Sequence, residues 1–600
     1  MVFRKKRRTQ TSGAWQEIGA ILRPWRGTIA LIGLFVLLAE ALGILPSLLI
    51  KHIIDIFLTP GIKEGLLSIA LFFLGATAAS GVMHYFVTYL TAFVAQYALR
   101  DLRAKLFRHL QRLPMSYHDN TPLGEIISRC TADVEAVDTL FTSGVANLIA
   151  RLAQLIAAAA VMIGLSIKLS LISLILLPPL ILITRFFRIR IRDAERLRLG
   201  AVGRMNAHLH ETLSGVEVVR AFGQEEAFIT RFGKTLYDTL RAYGKALSYS
   251  IFFTPLLTVL VAASVALLLW AGTSGLNWGI SMGTLTAFVL LFRRFFEPIR
   301  QLGEDWQTVQ SAFSGLERIA QVLKMPGEEQ TAVQPAQDAP ITPDKSGILV
   351  EMQAVSFGYS EGNPILHGIS LQVRDGEHVA LVGRTGSGKS TIINLLGGLY
   401  SPWAGRLRIA GLTPQELAED NRRRVIGIVP QNVHLFSGSI HDNLTMNDAS
   451  VSADAIERAS EMTLIDRFVS ALPQEYDTVL KGSGRGDGVQ LSEGQRQLLS
   501  LARALVWEPR VLLLDEATAS VDGNSEAGFY VALKKAISER ENRAVITVAH
   551  RLSTARRADR VIVMERGRIV EEGKSEELIH QGGSFAAFVE LEEAGWNWRD

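Results

Sequence analysis

The chain has 600 residues, of which 48% are hydrophobic, and 62 Lys and Arg against 59 Asp and Glu leave a formal net charge of +3. At roughly 150 residues per domain this length allows several domains, and so balanced a charge gives no reason to expect a nucleic-acid partner. Cys130 is the single cysteine, which excludes a disulfide framework and cannot supply a zinc site by itself.

The N-terminus is basic, with the run RKKRR at residues 4–8, and an apolar stretch begins near Thr28. Lys and Arg accumulate on the cytoplasmic side of membrane spans, which favours a cytoplasmic anchor over a nuclear address or a nucleic-acid patch. No small-residue cleavage site follows a short apolar core, so a removed signal peptide is not expected. Residues 1–27 are therefore predicted to be a cytoplasmic N-terminus with an interfacial elbow helix.

Residues 28–323 are predicted to form a transmembrane domain, since a span needs about 20 mostly apolar residues. The candidate spans are 28–50, 66–99, 141–167, 169–187, 247–272 and 280–299. The connections after the second and fourth spans are long and rich in Arg and Lys, which predicts that they face the cytoplasm. Residues 100–138 and 185–245 are expected to be helices continuing out of the bilayer, with ordinary loops as the alternative. Within them, residues 112–126 and 211–226 contain Pro, Asn and Gly that interrupt long helices, which predicts elbows where the membrane part touches another part of the protein.

Charged residues interrupt two of the predicted spans: Glu40 in the first, and Arg293, Arg294 and Glu297 in the sixth. Charges inside a bilayer are costly and usually face a cavity or a partner. Arg293 and Glu297 are four residues apart, so they can pair on one helical face. A structural ion pair and a contact with substrate both remain open for these residues.

The second half of the chain differs in composition from the first. Residues 324–347 are polar and rich in proline, which is typical of a linker. Over residues 348–600, apolar runs of strand length such as VALVG, VLLLDEA and AVITVAH alternate with helical segments. This alternation predicts a soluble α/β domain with buried strands.

The motif GRTGSGKST follows the strand VALVG and fits the phosphate-loop pattern G-x-x-x-x-G-K-[ST]. Its glycines allow backbone N–H groups to close around phosphates, its lysine adds positive charge, and its serine offers a hydroxyl to Mg²⁺. The predicted nucleotide-binding residues are Gly383, Arg384, Thr385, Gly386, Ser387, Gly388, Lys389, Ser390 and Thr391.

The strand VLLLDEA ends in two carboxylates, Asp515 and Glu516. In a phosphate-loop protein an aspartate at this place helps to hold Mg²⁺, mostly through water, and the glutamate orients and polarises the attacking water. Without the phosphate loop in the same domain, a solvated acidic strand end would be an equal alternative.

Together with LSEGQ at 491–495, these motifs resemble the nucleotide-binding domain of ATP-binding cassette (ABC) transporters, and the spans before them resemble an exporter half-transporter. The resemblance implies six transmembrane helices followed by an α/β P-loop nucleotide-binding domain. It also implies an ATP hydrolase in the cell membrane, with ATP and Mg²⁺ as cofactors and the nucleotide-binding domain in the cytoplasm. The implied substrates are amphiphiles, whether drug-like, lipid or peptide, exported from the cytoplasm or inner leaflet by alternating access.

Further site residues are implied by the resemblance alone. Tyr359 corresponds to the aromatic that stacks on adenine, and Gln431 to the glutamine that reaches Mg²⁺ and the water while touching the membrane domain. Asp522 matches the loop that communicates between two ATP sites, and His550 matches the histidine that contacts the γ-phosphate. The catalytic residues are thus expected to be Glu516, His550 and Gln431, and the Mg²⁺ ligands Ser390, Gln431 and Asp515.

In this family each ATP lies between one chain's phosphate loop and the partner's signature, which here comprises Ser492, Glu493, Gly494 and Gln495. Glu493 takes the place of a glycine. A carboxylate about 6 Å from the phosphates, at an effective dielectric near 20, opposes them by roughly 2 to 3 kcal/mol before screening. Its side chain also blocks close backbone approach. Hydrolysis beside this signature is expected to suffer.

The chain has a complete set of catalytic residues of its own. In a homodimer its weakened signature would lie opposite both of these sets and spoil both sites alike, so the two features conflict. We therefore expect a heterodimer with a second half-transporter chain, in which Glu493 faces a site already poor in catalysis. A homodimeric lipid flippase with the carboxylate turned to solvent, and a non-transporting ATP-gated regulator, are the alternatives. A second departure is Gly486, with Asp487 beside it, where the family usually has a glutamate.

Overall fold

The computed structural model of the chain describes residues 19, 21–273, 280–327, 347–417, 419–482, 488–515, 523–538, 542–549 and 551–594. The chain divides into two compact units. The first comprises Met1–Leu110 and Gly124–Met325, and the second comprises Gln111–Leu123 and Pro326–Asp600. Most of the predicted elbow helix and of the predicted linker at 324–347 lies outside the described residues.

The first unit is helical. A 3₁₀ turn at Arg23–Trp25 precedes the first long helix, and π-helical segments occupy Ile53–Leu58 and Leu140–Val145. The α-helices are α1 (Arg26–His52), α2 (Leu66–Gln111), α4 (Leu123–Cys130), α5 (Ala132–Thr139), α6 (Ala146–Leu165), α7 (Ile167–Ser214), α8 (Val216–Ala221), α9 (Glu225–Thr273) and α10 (Met282–Leu323), while α3 (Met115–Asn120) belongs to the second unit.

The longest helices extend past the predicted spans. Helices α7 and α9 have 48 and 49 residues, which at 1.5 Å per residue is more than twice the roughly 30 Å of a bilayer core. Residues 100–111 and 188–214 are thus helical, so the expectation of helical extensions is confirmed there and the alternative of ordinary loops is wrong.

Length and hydropathy identify four membrane-length helical stretches within the described part of the chain. They are Arg23–Leu58, Leu66–Gln111, Leu123–Leu165 and Glu225–Gly272, and they carry the first, second, third and fifth predicted spans. The fourth and sixth predicted spans lie on α7 and α10. The resulting six long helical stretches agree with the predicted fold class.

Helix α10 supplies much of the apolar core of the first unit. Leu285, Phe288, Leu291, Phe292 and Phe296 recur at helical spacing and are buried. They pack with residues of neighbouring helices, which include Ile44, Met162, Leu169, Leu257 and Leu268. Burial of such side chains stabilises the bundle by about 1.5–3 kcal/mol each in water, whereas inside lipid the gain comes from close packing.

The charges of the first and sixth spans meet in the first unit. The Nη2 atom of Arg294 donates to Oε2 of the buried Glu40 at 2.9 Å, and Nη1 contacts the carbonyl of Gly43. A Cβ at Gly43 would stand 2.2 Å from the guanidinium, so a larger residue there would push Arg294 out of this position. The sequence allowed Arg293 to pair with Glu297, but the arginine that joins α10 to α1 is Arg294, because it faces α1.

A second ion pair joins α5 to α10. The Nε atom of Arg318 donates to both carboxylate oxygens of Asp133, at 3.1 and 3.0 Å, and Asp133 is 5% exposed. This hydrogen bonding to Asp133 raises the pKa of Arg318. Because a buried carboxylate is costly without a partner, this contact fixes α10 against α5.

The second unit is α/β. Its helices are α3, α11 (Lys389–Leu396), α12 (Glu419–Val425), α13 (Ile440–Thr445), α14 (Ala453–Thr463), α15 (Asp466–Val469), α16 (Glu493–Leu505), α17 (Gly523–Ser538), α18 (Leu552–Ala555), α19 (Ser575–Gln581) and α20 (Ser584–Glu593), with a 3₁₀ turn at Glu475–Asp477. Its strands are β1 (Ile348–Phe357), β2 (Leu366–Arg374), β3 (His378–Val382), β4 (Ala404–Ile409), β5 (Ile426–Val429), β6 (Gly438–Ser439), β7 (Val479–Leu480), β8 (Val511–Asp515), β9 (Ala544–Val548), β10 (Arg560–Glu565) and β11 (Arg568–Gly573).

The main sheet has six strands in the order β11-β10-β3-β9-β8-β5. Strands β10, β3, β9, β8 and β5 are mutually parallel, and β11 pairs antiparallel with β10. A separate three-stranded antiparallel sheet has the order β2-β1-β4. The carboxyl ends of β3, β9 and β8 are neighbours, and ligands bind at such edges of open α/β sheets.

The short segment Gln111–Leu123 interrupts the membrane unit and groups with the second unit. Helix α3 begins after Pro114, whose backbone is extended. Within the second unit the hydroxyl of Tyr400 contacts the carboxylate of Asp119. The sequence predicted an elbow at residues 112–126 that touches another part of the protein, and this contact agrees with it.

Candidate ATP-binding site

The phosphate loop connects β3 to α11. All five residues of β3 are buried, which fixes where the loop begins. Gly383 has a φ of +152°, and a Cβ there would lie 2.2 Å from the carbonyl oxygen of Met564. Gly388, with a φ of +102°, passes close to Leu366. Both positions therefore require glycine, and a glycine-rich turn of this kind lets backbone N–H groups surround an anion.

Lys389 is buried at 5% exposure, and carbonyl groups of its own loop hold its ammonium group. The Nζ atom donates to the carbonyl oxygens of Gly383 at 2.7 Å and Arg384 at 2.9 Å. A buried ammonium ion needs such partners. These carbonyl groups keep the charge of Lys389 beneath the loop, where a phosphate would compete for it.

Ser390 and Asp515 meet at the edge of the sheet. The hydroxyl of Ser390 donates to Oδ1 of Asp515 at 3.1 Å. Burial raises the pKa of Asp515, and the hydrogen bond from Ser390 and the charge of Lys389 lower it in part. Two oxygen donors at one point suit Mg²⁺, which prefers oxygen ligands and keeps several waters or phosphate oxygens.

Tyr359 follows β1 and is 38% exposed. Its hydroxyl contacts Oγ1 of Thr391 at 3.4 Å and accepts a hydrogen bond from Asn394 at 3.0 Å. Tyr400 packs edge-on against the ring, with the ring centroids 5.1 Å apart. The structure thus places an exposed aromatic face beside the phosphate loop, and a base could stack there.

The other predicted site residues are only partly described. Gln431 is exposed and lies two residues beyond the end of β5. Glu516, Asp522 and His550 lie outside the described residues, as do Gly486 and Asp487.

The signature segment opens α16. Ser492 is the N-cap, and its hydroxyl accepts from the backbone N–H of Gln495 at 3.3 Å while the Gln495 side chain accepts from the Ser492 N–H at 2.9 Å. This reciprocal pair is a capping box. Among the described residues no hydrogen bond or ion pair joins positions 492–495 to the phosphate loop. Within one chain the signature and the loop are therefore separate.

Two residues that the sequence did not single out organise this region. Asn443 is 1% exposed and exchanges hydrogen bonds with the backbone of Phe436. Arg503 of α16 donates to the carbonyl oxygens of Asn443 at 2.8 Å and His434 at 3.0 Å. Burial lowers the pKa of Arg503. These bonds tie the signature helix to the segment after Gln431, and no pattern in the sequence pointed to either residue.

A phosphate loop at the carboxyl edge of a mostly parallel sheet, in a chain with membrane-length helices, defines a membrane-embedded nucleoside triphosphatase. The family model for the ABC transporter transmembrane region matches residues 29–299, and the ABC transporter model matches residues 366–519. The chain belongs to the ABC transporter family.

Named relatives and a solved structure match nearly the whole chain. It is 32% identical to the ATP-dependent lipid A-core flippase of Chromohalobacter salexigens, over 96% of this chain and 98% of that protein. It is 33% identical to the fatty acid ABC transporter ATP-binding/permease protein of Mycobacterium bovis, over 84% and 78%. A bacterial Atm1-family ABC exporter with ATP bound matches 95% of this chain and 98% of its own, with a TM-score of 0.75 and 26% identity.

These findings fix the broad function. The chain is an ATP-hydrolysing ABC exporter of the half-transporter type, with a helical membrane domain followed by a cytoplasmic nucleotide-binding domain. ABC exporters function as dimers, so the chain works with a second one.

Proposed function

We propose that the chain exports amphiphilic substrates, drug-like, lipid or peptide, from the cytoplasm or inner leaflet by alternating access. The observation that carries the proposal is the Ser390–Asp515 contact beneath the phosphate loop, in a chain that also has membrane-length helices. The names of two relatives, a lipid A-core flippase and a fatty acid transporter, support an amphiphilic cargo.

Mg²⁺ fits the donor set of this site. Ser390 and Asp515 offer a hydroxyl and a carboxylate, and Gln431 would add an amide oxygen. The described residues contain no group of three or more His, Cys, Asp or Glu that could hold a metal ion, so phosphate and water oxygens would complete the shell, as Mg²⁺ prefers. When bound with ATP, the ion neutralises charge on the β- and γ-phosphates.

The remaining steps fall to side chains of this chain. Lys389 would exchange its bonds to the Gly383 and Arg384 carbonyl groups for phosphate oxygens. Tyr359 would stack on adenine. Glu516 would orient and polarise the attacking water, with His550 at the γ-phosphate. ATP binding would close two cassettes and hydrolysis would reopen them, which biases the membrane helices between inward-open and outward-open states.

We further propose a heterodimer, in which one ATP site is competent and the other is degenerate. A side chain at Glu493 occupies a position where close backbone approach to the nucleotide favours glycine, whereas Lys389, Ser390 and Asp515 are intact. The homodimeric lipid flippase is the second candidate. It is favoured by the contact between Glu493 and Arg496, which offsets the carboxylate charge.

Substrate class can be tested with the purified complex in liposomes. Steady-state ATP hydrolysis would be measured with an amphiphilic cation, a lysolipid, an apolar peptide and, as the matched control, a hydrophilic peptide of equal length. We expect at least one amphiphile to change turnover at least twofold while the control does not. Equal turnover with all four additives would contradict an amphiphilic cargo.

Subunit composition can be tested by tagging the chain in its native host, purifying it in mild detergent and identifying co-purifying proteins by mass spectrometry. The heterodimer predicts a second half-transporter at a 1:1 ratio, with an intact signature and without the catalytic glutamate. A preparation that contains this chain alone and still hydrolyses ATP would favour the homodimer.

A further inference from the structure

The carboxylate of Glu493 is engaged within its own helix. Glu493 is the first residue of α16, and its Oε2 contacts the guanidinium of Arg496, three residues along. The side chains of Glu493 and Arg496 are 33% and 41% exposed, respectively. The Nε atom of Arg496 is buried and meets no acceptor among the described residues. The guanidinium meets the carboxylate through its Nη2 atom.

The groups that a signature offers to a phosphate remain available in this arrangement. The hydroxyl of Ser492 accepts one hydrogen bond, from Gln495, and keeps its own proton to donate. The backbone N–H groups of Glu493 and Gly494 open the helix and have no intrahelical acceptor. The glutamate that stands in place of glycine has therefore added a charge and bulk without removing these donors.

The structure assigns Arg496 a role as a positioning residue. It holds the Glu493 carboxylate on the helix and offsets its charge, so that a signature containing a carboxylate still binds ATP held by the opposite chain. This inference rests on the proposed dimer, in which ATP lies between a phosphate loop and the signature of the other chain. The site that faces Glu493 would then retain nucleotide.

Two features of α16 would act on this carboxylate. The N-terminal end of the helix dipole attracts it in any case, but that end is also where the phosphates would sit. Arg496 is the group that holds the carboxylate on the side of the helix and offsets its charge. Without Arg496 the carboxylate and the phosphates would share the same positive end of the helix, and their repulsion would appear as lost nucleotide affinity.

The test uses the whole complex and the photoreactive analogue 8-azido-ATP, with Mg²⁺ and under conditions that prevent hydrolysis. Arg496→Met removes the charge but keeps an apolar stem. In a heterodimer, nucleotide opposite Glu493 would label the partner chain, so half-maximal labelling of the partner should need about tenfold more analogue, or about 1.4 kcal/mol. Labelling of this chain should change less than twofold. In a homodimer the single chain should show the tenfold shift.

A double-mutant cycle separates this role from a structural one. In a Glu493→Gln background, Arg496→Met should shift half-maximal labelling less than twofold, and Arg496→Lys alone should keep most of the affinity. The tenfold loss should also shrink at 1 M salt, where the screening length is about 3 Å. Arg458→Met, which breaks the surface pair with Glu508, is the matched control and should have no effect.

Two results would overturn the inference in distinguishable ways. Equal losses from Arg496→Met in the wild-type and Glu493→Gln backgrounds would show that Arg496 supports the helix rather than the carboxylate. If every signature variant, including Ser492→Ala, is labelled as wild type is, no nucleotide lies against this segment. The proposed dimer site would then be wrong as well.

Discussion

Asp515 lies in a place that disfavours the charged form of its carboxyl group. Burial raises its pKa above the usual value for aspartate, so the folded chain binds the proton more readily than the unfolded chain does. The free energy of unfolding therefore rises as the pH falls through the pKa that Asp515 has in the folded chain. Above that pKa the full cost of the buried charge is present. The same carboxylate is the one proposed to hold Mg²⁺.

Asp515→Asn should separate stability from function. At neutral pH without nucleotide, the variant should be more stable than wild type by about 1 kcal/mol, since a buried charge is removed, and ATP turnover should fall at least tenfold. Thermal unfolding of the nucleotide-binding unit across pH 5–8 measures the first effect. A variant less stable than wild type throughout that range would show that Asp515 is not a source of strain.

Glu516→Gln should lower steady-state ATP turnover by at least a hundredfold while Mg²⁺-ATP still binds, because the amide cannot polarise water. Turnover and nucleotide retention after gel filtration measure the two effects. Retention of more than about a third of wild-type turnover would remove Glu516 from the catalytic role.

At the residue scale, the sequence predicted the phosphate loop and its neighbours because each motif is contiguous and its chemistry is strict. Ser390 and Asp515 are 125 positions apart, and their proximity was expected because both were predicted to be Mg²⁺ ligands. Arg503 and Asn443 could not be found in this way. Their function depends on the carbonyl groups that they face, and a sequence does not show which backbone atoms a folded loop exposes.

At the scale of elements, α1 and α10 are joined inside the membrane unit by the Glu40–Arg294 pair. The backbone carbonyl of Arg294 also accepts a hydrogen bond from Gln154 of α6 at 3.1 Å, so three helices meet there. A buried charge left without its partner is destabilising by about 3–5 kcal/mol. We therefore infer that the pair is structural.

Arg294→Met should lower the midpoint of thermal unfolding of the complex in detergent, because the buried Glu40 loses its guanidinium partner and is left with the Nε2 atom of His84, 4.0 Å from Oε1. The double variant Glu40→Leu/Arg294→Met should recover at least half of that loss, since no uncompensated charge remains. Arg293→Met, on the exposed face of the same helix, is the matched control and should shift the midpoint little. Equal shifts from Arg293→Met and Arg294→Met would contradict the assignment.

The choice between Arg293 and Arg294 shows what helical periodicity does not predict. Helical spacing allowed Arg293 to pair with Glu297 and gave no reason to choose Arg294. The choice depends on which face of α10 meets α1 and on the absence of a side chain at Gly43. Hydropathy predicts which helices form, but the pairing of charges between helices is set by their packing, which one sequence does not reveal.

At the scale of the whole molecule, composition alone predicted two kinds of domain. The structure assigns one segment to a different unit from the one predicted. Residues 111–123 lie within the predicted membrane domain but group with the second unit. Their polar, proline-containing sequence predicted an interruption of the helix. It also predicted a contact with another part of the protein, but not its partner, which is Tyr400 at Asp119.

Membrane topology gives a direct check of this division. In a Cys130-free chain, single cysteines near Pro60 should react with an impermeant reagent from outside intact cells, whereas cysteines near Asn120 and Gln224 should react only after permeabilisation. Pro60 follows the π-helical end of the first span. The loop near Trp278, also predicted to be external, lies outside the described residues. The reverse labelling pattern would contradict the arrangement of six spans.

We propose that ATP hydrolysis by this chain drives export of an amphiphile. The most direct measurement is uptake of a fluorescent amphiphile into inside-out vesicles that contain the complex, with Mg²⁺-ATP and with a non-hydrolysable analogue. We expect concentrative uptake that requires hydrolysable ATP and is abolished in Glu516→Gln vesicles with equal protein content. ATP hydrolysis without uptake of any amphiphile, or equal uptake by Glu516→Gln, would contradict it.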